Sequence, residues 1–207
     1  MQNELKIGQQ AVADGSVTTA RGDKTGATVT ANVHGQFSET AVRGNIMYVS
    51  NLVAGVAPGT AFSATPPLTL WNPPSSGKNL AITKISCGYV SGTLGGGCIA
   101  LGAVPSQVTV PSGGTELTPL CSLIGAPRGV GRGFTGSTVT TTPAILRPMF
   151  NMGAFVGTTA LAPQDCDILV DGGIVVAPGS AVSLQGIAGA GTTPLVILGF
   201  TYEELPV

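Results

Sequence analysis

Residues 79–90 read Asn-Leu-Ala-Ile-Thr-Lys-Ile-Ser-Cys-Gly-Tyr-Val. Leu80 and Ile82 alternate with small or polar residues, and so do Ile85, Cys87 and Tyr89. Alternate residues of a strand share a face, so this spacing predicts a long, half-buried β-strand. The phase slips by one residue around Thr83–Lys84. A slip in a period of two predicts a β-bulge, because an unbulged strand would turn half of its apolar set to the wrong face.

Working outward, similar short runs recur between Gly/Pro punctuation. Predicted strands are Arg43–Val49, Leu68–Trp71, Cys98–Val104, Leu146–Val156, Ile168–Val170 with Ile174–Val176, Ala181–Ile187 and Leu195–Tyr202. Gly95-Gly96-Gly97 predicts a turn returning Cys98–Val104 against the 79–90 strand, and Pro105–Thr142 reads as loop with two short strands. Ala177-Pro178-Gly179-Ser180 fits a type II turn, with Pro second and Gly third. The last strand is apolar on both faces, with Val196, Leu198, Phe200 and Tyr202 on one and Leu195 and Ile197 on the other. No segment keeps a 3.6-residue apolar period over three turns. Seven to nine such strands predict an all-β, jelly-roll-like β-sandwich. An immunoglobulin pattern does not fit, because Trp71 precedes all four cysteines.

Composition narrows the function. Of 207 residues, 31 are Gly and 15 are Pro, and only 9% are charged. Charge-rich helical classes are excluded. With 43% hydrophobic residues and a net charge of -1, so is a disordered chain. Nine basic residues against ten acidic ones exclude a binder that works by neutralising nucleic-acid phosphates. Soluble monomers rely on charged surfaces, and obligate interfaces are charge-poor, so a homo-oligomer is expected. Eight of the nineteen charges fall in residues 1–43, whereas 44–77, 85–115 and 172–202 carry none. This predicts an extended N-terminal arm over 1–43 and a compact body over 44–207. The polar Met1–Gly15 segment does not read as an export signal, and no apolar run reaches the ~18 residues of a membrane helix. Cys87, Cys98, Cys121 and Cys166 have no CxxC spacing. Cys87 and Cys98 could meet across a hairpin, but four buried free thiols are expected without export.

Motifs that carry chemistry are weak. His34 is the sole histidine and lies in the polar arm, so no triad or His-rich metal site is expected. Gly131-Arg132-Gly133-Phe134-Thr135-Gly136 has the GxGxxG form, but a Ser/Thr/Val run follows where a dinucleotide site needs a helix. It reads as a mobile surface loop. Asp165, Asp167 and Asp171 cluster but form no EF-hand loop, and read as solvated acids. Arg21-Gly22-Asp23 is a three-residue match to an integrin-binding tripeptide, read as coincidence. No catalytic residue, cofactor or metal is expected. Candidate partner-binding residues are Arg21, Lys24, Arg43, Arg128 and Arg132, the exposed cations that could meet a carboxylate or phosphate of a partner.

The runs Ala41-Val42-Arg43-Gly44-Asn45-Ile46-Met47-Tyr48, Leu68-Thr69-Leu70-Trp71-Asn72-Pro73 and Ser76-Gly77-Lys78-Asn79-Leu80 resemble small structural proteins of tailed bacteriophages. So do the 173–182 run and the terminus Phe200-Thr201-Tyr202-Glu203-Glu204-Leu205-Pro206. The resemblance is to jelly-roll capsid decoration or cement proteins. It implies a trimer on the virion capsid surface, assembled in the host cytoplasm and bound to the major capsid protein. Neither nucleic acid nor membrane is an expected partner. The alternative is the receptor-binding head of a phage spike or fibre.

Overall fold

The computed structural model describes residues 35–152, 167–188 and 191–207. The body, Thr40–Val207, forms one compact unit, divided from the segment before it at Glu39. Most of the expected arm, with Arg21-Gly22-Asp23, Lys24 and His34, lies outside the described residues. So do Asp165 and Cys166. Within the arm's expected bounds, Ser38–Val42 forms a short helix, α1, rather than extended chain.

Among the described residues eleven strands follow: β1 (Ile46–Ser50), β2 (Leu68–Asn72), β3 (Lys78–Ser91), β4 (Gly97–Val104), β5 (Thr115–Leu117), β6 (Leu120–Cys121), β7 (Arg132–Thr135), β8 (Ala144–Met152), β9 (Asp167–Val176), β10 (Ser180–Ile187) and β11 (Leu195–Pro206). They form two antiparallel sheets, ordered β6-β1-β11-β3-β9 and β5-β7-β2-β10-β4-β8. Without β5, β6 and β7, the order β1-β11-β3-β9 packed on β2-β10-β4-β8 is the eight-stranded, double Greek-key jelly roll. The three short strands come from the β4–β8 connection. They add β6 beside β1, and β7 then β5 beside β2, so one insertion extends the same side of both sheets.

The bulge falls where the apolar phase slips. Ile82 pairs with Tyr202 and Lys84 with Thr201, leaving Thr83 as the extra residue. The Thr83 hydroxyl donates to the Thr201 carbonyl oxygen at 3.1 Å. On its other side, Ile82 pairs with Ile174 and Lys84 with Leu169, so Val170–Gly173 loop out of β9. Asp171 (φ 50) and Gly172 (φ 74) take the left-handed backbone this excursion needs, while Gly173 does not. The slip thus keeps Leu80, Ile82 and Ile85 all fully buried.

The core lies between the sheets. Met47, Val49, Leu80, Ile82, Ile85, Leu198, Phe200 and Tyr202 from one sheet meet Leu68, Leu70, Ile99, Leu101 and Leu184 from the other. Each such side chain contributes about 1.5–3 kcal/mol on leaving water. The type II turn forms as expected, with the Ser180 N–H donating to the Ala177 oxygen at 3.1 Å and φ of Gly179 at 76°.

Three expectations are corrected. Strand β4 does not return against β3: β3 pairs with β11 and β9, and β4 pairs with β10 and β8. The 92–96 connection crosses between sheets, so Cys87 and Cys98 do not face each other across a hairpin. Cys87, Cys98 and Cys121 are free thiols, but only Cys121 is buried. Lastly, the 131–136 run is not a surface loop. Arg132–Thr135 is a strand paired with both β2 and β5, and Pro105–Thr142 holds three short strands, not two.

Candidate interaction surface

The two outer faces of the sandwich differ. The outer face of the β2-β10-β4 strands is roofed by the chain's own loops, while residues 144–148 of edge strand β8 stay exposed. Thr69, Ser183 and Gln185 face outward there, yet all are buried. The β1–β2 loop crosses over them. The Ser63 N–H donates to Gln185 Oε1 at 2.9 Å, the Gly186 N–H to the Pro58 oxygen at 2.5 Å, and the Ala188 N–H to the Thr60 oxygen at 2.8 Å. Gly102 allows this close approach, since a Cβ there would collide with the Phe62 ring and Pro143.

The same face continues into a second apolar cluster of Trp71, Val104, Phe134, Val139 and Ala181. Trp71 Nε1 donates to the Gln107 carbonyl oxygen at 2.6 Å, and Gln107 Oε1 accepts from the Thr140 N–H at 2.8 Å. The Trp71 and Phe134 rings meet edge-on with centroids 6.2 Å apart.

Arg132 closes this cluster. Its guanidinium carbon lies 5.4 Å from the Trp71 ring centroid and 5.3 Å from that of Phe134. Its Nε and Nη2 donate to the two Glu116 carboxylate oxygens at 2.7 and 2.6 Å. Those hydrogen bonds hold the Glu116 carboxyl below its usual range, against a smaller opposing effect of burial. They hold Arg132 above its own. Arg128, exposed on the β6–β7 connection, adds a weaker attraction to Glu116. Of the two sequence-predicted arginines, Arg132 is bonded to Glu116, and Arg128 acts on that carboxylate only through its charge. Arg132 is engaged with Glu116 within the chain while its side chain stays partly exposed. Arg43 is exposed just before β1. Arg21 and Lys24 lie outside the described residues.

A carboxylate anchors the loop before β7. Glu204 on β11 is buried, and its Oε1 accepts from the Val130 and Gly131 N–H groups at 2.6 and 3.0 Å. Lys78 Nζ sits 2.9 Å from Oε2. Gly129 and Gly131 bring the backbone close, because a Cβ on either would clash, with the Glu204 carboxylate or with Tyr202 Oη. Gly133 passes Val49 and Leu117 in the same way. Two glycines of the GxGxxG run, Gly131 and Gly133, thus serve packing, and the third, Gly136, takes a left-handed backbone (φ 63).

The outer face of the β6-β1-β11-β3-β9 sheet is covered only in part among the described residues: Ile46 and Ala81, which pair with outward Glu203, are buried, whereas the apolar side chains along its sides are exposed. Cross-strand register places Leu120, Tyr48, Thr201, Lys84 and Leu169 in one outward row, with Glu203, Ala81 and Val175 in a neighbouring row. Leu120 is 65% exposed, Tyr48 48%, Leu169 57% and Val175 53%. Next along lie Gly199, Ser86 and Asp167, with Lys84 Nζ 3.3 Å from the Asp167 carboxylate. Ile197, on the outer face of β11, is half-buried. Sequence reasoning noted the double-sided apolar pattern for β11 alone. The same signal was present in Tyr48, between inward Met47 and Val49, and in the Ile168-Leu169-Val170 and Ile174-Val175-Val176 runs.

Comparison with family models, with curated proteins and with solved structures finds no match to this chain.

Proposed function

We propose that this chain is a non-enzymatic virion structural protein that binds and stabilises a phage capsid shell as a decoration or cement protein, assembling as a trimer. The observation that carries the reading is the bare outer face of the β6-β1-β11-β3-β9 sheet. A sheet face with four half-exposed apolar side chains suits protein contact, not a small molecule. The charge-poor body and the resemblance of its strand motifs to phage structural proteins support the same reading. Many copies on one symmetric shell would gain strength from repeated weak contacts.

Immunogold labelling of intact virions with an antibody against this chain tests the proposal. Label spread over the capsid is expected. Label confined to the tail tip would favour a receptor-binding head, and unlabelled virions would sink both. Light scattering at micromolar concentration should give a trimer mass.

A further inference from the structure

We infer that the bare face of the β6-β1-β11-β3-β9 sheet is where copies of this chain pack on one another, face against neighbour rather than edge to edge. The inference rests on the oligomeric reading above and names its contact surface.

The sheet edges argue against strand-to-strand joining. Among the described residues, the edges are β5, β6, β8 and β9. Strands β5 and β6 have three and two residues, too short to template a partner strand. Strand β8 carries Pro148, which has no N–H to donate, and its pairing with β4 shifts register twice. Strand β9 is interrupted by the Val170–Gly173 excursion and carries Asp167 and Asp171. These are the devices by which sheets avoid pairing through their edges.

The face has the opposite character. Its exposed apolar groups Leu120, Tyr48, Leu169 and Val175 come from three different strands. Five strands about 4.8 Å apart, from two residues in β6 to 14 in β3, give a face on the order of 500 Å² in projection. Side-chain relief and the exposed Leu123 and Ile124, which continue from β6, bring it toward the ~800 Å² per partner of a standard interface. The charges on it are of both signs, Lys84 against Asp167 and Glu203. A neighbouring copy, which in a trimer meets this face with a different patch, can present an acid to Lys84 and a base to Glu203. A single-sign face would instead select an oppositely charged partner.

Sedimentation equilibrium of the full chain tests this with substitutions on opposite sides of the face. Tyr48→Glu and Leu169→Lys should each weaken self-association about a hundredfold or more, by burying an unpaired charge. Both positions are half-exposed, so the circular dichroism spectrum should not change. Tyr48→Ser and Leu169→Ser, milder changes, should weaken it about tenfold. Ile145→Lys, on edge strand β8, should leave it unchanged. Face variants that stay oligomeric overturn the assignment. They do so in favour of the β8 edge if Ile145→Lys dissociates the protein, or of the N-terminal segment if removing residues 1–34 does. A wild-type chain that is monomeric throughout overturns the oligomeric reading itself, and this assignment with it.

Discussion

Glu204 and Tyr202 sit two residues apart on the inner face of β11, and each makes a separate prediction. The Glu204 carboxylate is satisfied by two backbone N–H groups and by Lys78. Glu204→Ala would leave those N–H groups without an acceptor, and urea denaturation should show a loss of about 2–4 kcal/mol. Tyr202 presents the reverse case. Its hydroxyl is buried without a hydrogen-bond partner among the described residues. Burial, and then the negative charge of Glu204, push its ionisation far above the usual tyrosine value. The folded chain keeps this proton at a pH where the unfolded chain releases it. Stability from this group is therefore intact below about pH 10 and falls by about 1.4 kcal/mol per pH unit above it. Tyr202→Phe should match or exceed wild type by up to about 1 kcal/mol at pH 7 and lose less stability at pH 11. Urea midpoints at the two pH values measure both effects. In the sequence, Glu203-Glu204 reads as a polar terminus, since the groups that hold Glu204 lie more than seventy residues away. Arg132 was singled out, but its engagement with Glu116 was not legible, because it depends on β5 and β7 pairing.

At the scale of the element, what could be read was whatever local periodicity dictates. The strands from β1 to β11 with a two-residue apolar phase were legible, and so were the Thr83 slip and the Pro178-Gly179 turn. Partnership was not. The pattern of β4 fits β3 as well as it fits β10, and only the crossing of 92–96 between sheets decides. Strand β7 was missed because Gly131 and Gly133 suggest loop by composition, whereas they are small to let the chain pass Tyr202 and Val49. Gly133→Ala should accordingly cost about 1–3 kcal/mol through overpacking, read as a lower thermal midpoint. The bulge makes a sharper test. Deleting Thr83 leaves Leu80, Ile82, Ile85 and Cys87 in one unbroken alternation, so the chain should still fold. It should lose about 1–2 kcal/mol with the Thr83–Thr201 hydrogen bond and the local bend. Deleting Ser86 instead would rotate Ile85 or Cys87 to the outer face, and should abolish the folded circular dichroism spectrum.

For the whole molecule, the two outer faces pose one physical problem with two solutions. Outward residues of β2, β10 and β4 are small or uncharged, and the chain covers them with its own β1–β2 loop and β4–β8 insertion. Outward residues of β1, β11 and β9 include Glu203 and Asp167, and among the described residues Tyr48, Leu169 and Val175 stay exposed while Ile46 is buried. If a second copy supplies that cover, unfolding is coupled to dissociation, and stability must depend on concentration. For a trimer, a tenfold dilution removes about 1 kcal/mol per protomer, which for a chain of this size lowers the thermal midpoint by about 2–4 °C. Tyr48→Glu should flatten that dependence and hold the midpoint near the dilute limit of the wild type, because it removes the contact without touching the core. Ile145→Lys should retain the wild-type slope. Scanning calorimetry across two decades of concentration separates these cases. A wild-type midpoint that does not move with concentration would show that the bare face contributes nothing between copies to the stability of the fold.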